Sequence, residues 1–152
     1  LVKKVYFEGH QDIKLEKTYN EFDQLETLLH HDYGSLALIR NAFGEIEKKM
    51  HNQVSELYEY DFLGRLIERT ENDGKVAQWT YDTKDFGVGQ PAIIQYKDNL
   101  ENVIHSVDFI YDQLSRNTST IESIDGESYD IHKIYDSYSR VNKIYCLSTS
   151  VK

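Results

Sequence analysis

The densest set of potential metal ligands is His30-His31-Asp32, which His10 or His51 could join in space. Neighbouring residues on a strand point to opposite faces, so His30 and His31 would converge on one ion only with help from a turn. Polar strand-end and turn residues are the expected reading. Glu45, Glu47, Asp108, Glu122 and Asp130 could supply the acid and base of glycoside hydrolysis, yet they mostly alternate with apolar residues, as a solvated outer face does. Cys146 is the only cysteine, which rules out an internal disulfide and a cysteine-based metal site, and no local motif orients a base towards it. Asp61, Asp82, Asp112 and Asp136 invite a calcium reading, but acids at turn starts are explained by turn hydrogen bonding alone. Gly87-x-Gly89 is part of a phosphate-cradling pattern, with no helix pattern after it and no third glycine. No cofactor and no metal site are expected, and the chain is not expected to be an enzyme.

Aromatic side chains are a different class of candidate. Some of Tyr6, Phe7, Tyr33, Tyr58, Tyr96, Tyr138 and Tyr145 are expected on a polar face, where they could stack on a sugar ring or a partner protein. Packing across to further parts of a larger assembly is the expected role, and a glycan is the possible ligand of the alternative.

The elements that would hold these residues repeat. Tyr58-Glu59-Tyr60-Asp61-Phe62-Leu63-Gly64-Arg65-Leu66 is the clearest of six copies, and the position of Asp61 is taken by Asn20, Asn41, Asp82, Asp112 and Asp136, with steps of 21, 20, 21, 30 and 24 residues. A period near 20 means stacked similar units rather than one site built for chemistry. In Asp61-Phe62-Leu63-Gly64 the carboxylate can accept from an N–H two residues on, and Gly64 can take a positive φ. Together they predict a type I turn closed by a left-handed residue, a common hairpin connection. A second turn signal follows in each unit, as Asn72-Asp73-Gly74, His31-Asp32-Tyr33-Gly34, His51-Asn52-Gln53, Lys97-Asp98-Asn99 and Ile124-Asp125-Gly126.

Turns every 8 to 13 residues with alternating segments between them predict an antiparallel meander. Ala77, Trp79 and Tyr81, then Val107, Phe109 and Tyr111, then Tyr129, Ile131 and Tyr135 fall on one face, with Gln78, Thr80, Asp108 and His132 on the other. Strands are expected at 25–30, 36–40, 46–51, 54–60, 65–71, 75–81, 92–97, 102–111, 117–124, 127–135 and 140–146, with Val2 to Glu8 and Ile13 to Thr18 before them. The tyrosine before each turn is expected to form a ladder of aromatic neighbours. The stretch from Tyr81 to Pro91 is expected to be a longer loop, since proline removes a ladder donor inside a central strand.

Composition agrees. Twelve tyrosines against one methionine and one proline favour a pleated, half-buried surface, and 152 residues suit one domain with a shared core. The net charge of −9 is spread along the chain without a basic stripe, so no nucleic-acid partner is expected. No apolar run approaches the roughly 20 residues of a membrane span. The start, Leu1-Val2-Lys3-Lys4, carries neither an initiator Met nor a signal segment and reads as the beginning of an excised piece.

At these residues the chain resembles the Rhs or YD-repeat family. The matching positions are Tyr60, Asp61, Gly64, Arg65, Asp73, Gly74, Tyr81 and Asp82, and again Tyr111, Asp112, Arg116, Asp125, Gly126, Tyr135, Asp136 and Arg140, with weaker copies at Tyr19, Asn20, Asn41 and Gly44. The longer loop with Gly87-Val88-Gly89 is similar to the variant repeat of bacterial insecticidal Tc toxins. The resemblance covers residues 19–147, leaving 1–18 as a lead-in and 148–152 as a tail. It implies an all-β arc of a larger curved or spiral shell of hairpins, in a secreted or surface protein of bacterial type, that encloses a toxin or effector cargo. The implied partners are the remaining repeats, the cargo domain, and a second chain through unpaired edge strands. The alternative it implies is a carbohydrate- or protein-binding adhesion module like the teneurins. Asp23, Ser115 and Ser139 stand where glycine is expected, and Arg40 and Asn41 where Tyr and Asp are, so these copies are expected to be less tight. The Asp-Pro segment of self-cleaving shells is absent, since Pro91 follows Gln90.

Overall fold

The computed structural model describes residues 2–7 and 10–149, with side chains from 15 to 147. Tyr6, Phe7 and His10 lie outside the residues whose side chains are described. The chain divides into two compact units, Leu1–Asn72 and Asp73–Lys152. Among the described residues there is no helix.

The first unit is a meander of β1 (Val2–Phe7), β2 (His10–Tyr19), β3 (Leu25–His30), β4 (Gly34–Arg40), β5 (Ile46–His51), β6 (Val54–Tyr60) and β7 (Leu66–Thr70). Each strand pairs antiparallel with the next. The second unit continues as β8 (Val76–Tyr81), β9 (Pro91–Lys97), β10 (Val103–Tyr111), β11 (Asn117–Ile124), β12 (Glu127–Tyr135) and β13 (Val141–Thr149), again in sequence order and antiparallel. The meander expected from turn spacing is present. Pro91 opens β9, a position where its missing N–H costs no internal ladder bond.

Register in the second unit places Trp79 opposite Ile94, Ile94 opposite Val107, and Phe109 opposite Thr120 and then Ile131 on one face. Gln78, Thr80, Asp108 and His132 take the other, as alternation predicts. Tyr96, one of the aromatics of which some are expected on the polar face, is opposite Ala77 and lies on the apolar one. The shared core expected of stacked repeats does not form. Among the described residues only Ala77, Gly87, Ala92, Tyr111 and Ser119 are buried, because each unit is a single layer whose side chains shelter one another within the sheet.

A β-bulge follows every motif turn. Thr18 faces Thr27 while Tyr19 faces Leu25, which leaves Glu26 as the extra residue, and Glu47, Ile67, Ala92, Thr118 and Asn142 hold the same place in the other copies. Bulges increase local twist and interrupt the ladder. Spacing between turns carries no trace of them, since one extra residue leaves the turn count unchanged.

Candidate functional site

The repeated site is the turn itself. Asp61 Oδ1 accepts from the N–H groups of Leu63 and Arg65, both at 2.9 Å, and the Asp61 carbonyl accepts from Gly64 at 3.0 Å. Asn20, Asn41, Asp112 and Asp136 do the same with the N–H groups two and four residues on. The closing residue takes a left-handed φ of 76° at Gly64, 59° at Asp23, 58° at Ser115 and 62° at Ser139. The copies expected to be irregular are therefore as tight as the rest. Two side-chain bonds and two backbone bonds define each turn, and they outweigh the roughly 1–2 kcal/mol that a left-handed backbone costs an ordinary residue.

Position four of each turn is chosen by hydrogen-bond polarity. In three copies the first residue is Asp, an acceptor, and the fourth after it is Arg, whose Nε donates to Oδ2 at 2.7 Å in Asp61–Arg65 and at 2.8 Å in both Asp112–Arg116 and Asp136–Arg140. Where the first is Asn, its Nδ2 donates instead, to Gln24 Oε1 at 3.0 Å and to Glu45 Oε2 at 2.7 Å. Asn20 and Asn41 are thus not weakened copies but the same device with donor and acceptor exchanged. A further copy stands at the opposite edge, where Asp98 accepts from Leu100 and Asn102 and Glu101 is left-handed at 65°. Lys97-Asp98-Asn99 was expected only as the second type of turn.

The motif tyrosines reach backwards. Tyr60 Oη donates to the Ile46 carbonyl at 2.9 Å, Tyr111 to Pro91 at 2.6 Å, and Tyr135 to Asn117 at 2.8 Å. Each acceptor is the first residue of the strand after the preceding motif turn, directly before the bulge. The ladder between successive hairpins within each unit is made by hydroxyls meeting carbonyls, where ring-to-ring neighbours were expected. Burial pushes the Tyr60 and Tyr111 hydroxyls above the usual tyrosine value, so both keep the proton they donate. Position four also touches the next turn: Arg116 lies over the Tyr135 ring at 4.6 Å and donates to Ser139 Oγ at 3.1 Å. A Cβ at Gly44 would meet Gln24 Nε2 at 3.0 Å, and one at Gly64 would meet Glu45 Oε1 at 2.7 Å.

The remaining motif residues take separate parts. Tyr19 and Tyr81 end β2 and β8. Asp82 is itself left-handed at 63° and holds Gly89 N–H at 2.5 Å, in a loop pinned by Lys84 to Asp108 at 2.7 Å and by Gly87 against the Tyr111 ring. Asp73 accepts from Lys75 through N–H and Nζ, and Gly74 has φ 83°. Asp125 and Gly126, both left-handed, join Ile124 to Glu127 as a two-residue hairpin.

The carboxyls of these turns lie below the usual aspartate range. In Asp112 the Arg116 guanidinium is the main cause, opposed by desolvation. In Asp136 the N–H of Arg140 leads, followed by its guanidinium. Desolvation is the largest influence on Asp61 and raises it, and the bonds from Arg65 and Leu63 together reverse that. Charged carboxylates so held explain the turns without a cation.

The chemically suggestive groups are dispersed. His30 Nδ1 accepts from the N–H groups of Asp32 and Tyr33, closing its own turn, and His51 stacks on Tyr33 with centroids 4.4 Å apart. Among the described residues no three His, Cys, Asp or Glu are grouped to hold a metal. Asp108 pairs with Lys84, Asp130 with His132 and Ser119, and Glu122 with His105 on the opposite face. Cys146 is exposed. Asn52 is a residue whose role sequence reasoning missed: its Oδ1 accepts from Ser35 N–H at 2.8 Å and its Nδ2 donates to the Tyr33 carbonyl at 3.2 Å, tying two neighbouring turns.

Chains of the TcdB2–TccC3 complexes share this fold. The crystal structure of TcdB2-TccC3-Cdc42 superposes with a TM-score of 0.66 over 92% of the present chain at 10% identity. TcdB2-TccC3-TEV and TcdB2-TccC3 without its hypervariable C-terminal region each give 0.60 at 10% identity, over 97% and 98%. The chain spans 8–10% of the length of those chains. No protein-family model matches, and no curated protein matches by sequence. The resemblance read from the turn motif, which includes the Tc toxins, thus has its counterpart in the fold.

Proposed function

We propose that this chain is a non-catalytic wall segment of an Rhs/YD-type β-shell that encloses a toxin or effector cargo in a secreted or surface protein. The observation that carries the proposal is the single-layered meander with an apolar face, in the fold of TcdB2–TccC3 chains. A sheet with Trp79, Ile94, Val107 and Phe109 on one face gains by covering that face, and a cargo or an opposite wall would do so. Residues 141–147 of β13 are all exposed, and an open edge is a template for another strand. The motif residues serve this role mechanically: Asp or Asn forms each turn, position four locks it, and Tyr ties it to the unit before.

The test uses the full-length parent protein. Under limited proteolysis the cargo domain should survive in the intact protein and be digested once the shell is unfolded. Digestion of the cargo at the same rate in both states would overturn the reading.

A further inference from the structure

The turn chemistry leaves one side chain in each motif turn of the first unit without a structural task. Phe22, Phe43 and Leu63 contribute only their N–H groups to the turn, yet each is large, apolar and turned to solvent. In the first unit Phe22 is 74% exposed, Phe43 90%, and Phe62, beside Leu63, 94%. All three stand at hairpin tips on one edge. Successive tips are two strands apart, about 10 Å.

Clefts lie between these tips. Phe22 and Phe43 line one of about 600 Å³ that also includes Glu26 and the Arg40 side chain, and Phe43 and Phe62 line another of about 420 Å³ with Glu47 and Glu59. Glu26 and Glu47 are the bulge residues of their copies, so the bulge delivers one carboxylate to each cleft in the same place. Among the described residues the side chains of Glu26, Glu47 and Glu59 make no ion pair or hydrogen bond, and all three residues are exposed.

We propose that this edge of the first unit docks a basic amphipathic helix. Seven residues of helix advance about 10.5 Å, so one apolar side chain per heptad enters each successive cleft and flanking Lys or Arg reach the bulge carboxylates. An extended strand covers the same distance in about three residues, an odd number, and would point alternate side chains away. A second copy of this chain is disfavoured as the occupant, because each copy brings a charge of −9 to a contact already lined by carboxylates. The inference is independent of the shell reading, which concerns cargo in the parent protein.

The test measures anisotropy of a labelled three-heptad Leu/Lys helical peptide titrated with the 152-residue chain, against a Leu/Glu peptide of the same pattern. Saturable binding of the basic peptide is expected, weakening with salt and falling at least about fivefold with Phe43→Ser and with Glu47→Gln. Tyr138→Ser, at a tip of the second unit, should leave it unchanged. The exposure of Phe43 makes the variant safe to fold, which circular dichroism checks. Equal binding of the acidic peptide, undiminished binding by both variants, or no saturable binding overturns the proposal.

Discussion

The hydroxyl of Tyr60 donates to the carbonyl of Ile46, fourteen residues earlier, at 2.9 Å. That carbonyl sits directly before the bulge at Glu47, where the ladder between β4 and β5 is interrupted. The bond couples the end of one hairpin to the start of the return strand in the preceding one. Tyr111 and Tyr135 repeat it in the second unit.

Tyr60→Phe should therefore lower stability by about 0.5–1.5 kcal/mol, the net worth of one hydrogen bond. Tyr111→Phe should cost more than Tyr60→Phe, since Tyr111 is among the few buried residues, where a lost hydrogen bond is not replaced by one to water. Urea denaturation reads this as a lower midpoint with an unchanged slope.

Exchange of hydrogen-bond polarity should be separable by double substitution. Asn41→Asp sets a carboxylate against Glu45 Oε2, now 2.7 Å from Asn41 Nδ2, and should destabilise at neutral pH. Adding Glu45→Arg should restore the midpoint, because it recreates the Asp61–Arg65 arrangement. A double-mutant cycle measures the coupling, and additive effects would contradict it.

Acid should act on the Asp turns, and Glu56 and Asp73, whose carboxyls are also held low, add to the effect. The Asp61, Asp98, Asp112 and Asp136 carboxyls are held below their ordinary value, so the unfolded chain binds protons first as pH falls. Their contribution is complete above an unfolded value of about 3.9 and is lost as pH drops through the lower folded values. The hairpins built on Asn20 and Asn41 carry no such dependence in their first residue. Asp112→Asn with Arg116→Gln should shift the acid-unfolding midpoint, followed by circular dichroism, to lower pH.

Tyr58 should titrate late. Burial first, then the hydrogen bond to Glu56 Oε2 at 2.7 Å, pushes the Tyr58 hydroxyl up to about 12. Ultraviolet titration should show a phenolate forming near that value, absent in Tyr58→Phe and moved down in Glu56→Gln.

Serine should replace glycine best where position four of the previous turn can bond to it. Ser139 Oγ accepts from Arg116, and a Cβ at Gly64 would meet Glu45 Oε1. Gly64→Ser should be less destabilising than Gly64→Ala by about 0.5–1.5 kcal/mol, the value of a hydroxyl bond to Glu45, as chemical denaturation can compare.

Sequence alone determined the turns and strands of this protein. A hairpin turn is closed within five residues, and strand faces follow a two-residue period, so Asp61, Gly64 and the alternation of Ala77, Trp79 and Tyr81 were sufficient. Even there, local reading undervalued Asn41 and Ser139, because the partner of each turn residue lies four positions on or in the next hairpin. Tertiary structure decided the rest. The bulge at Glu47 is a matter of register between two strands, the Tyr60 bond joins residues of different hairpins, and the apolar tips acquire their common edge only when the hairpins stack. Such relationships depend on pairing across the sheet, which no local pattern of residue types encodes.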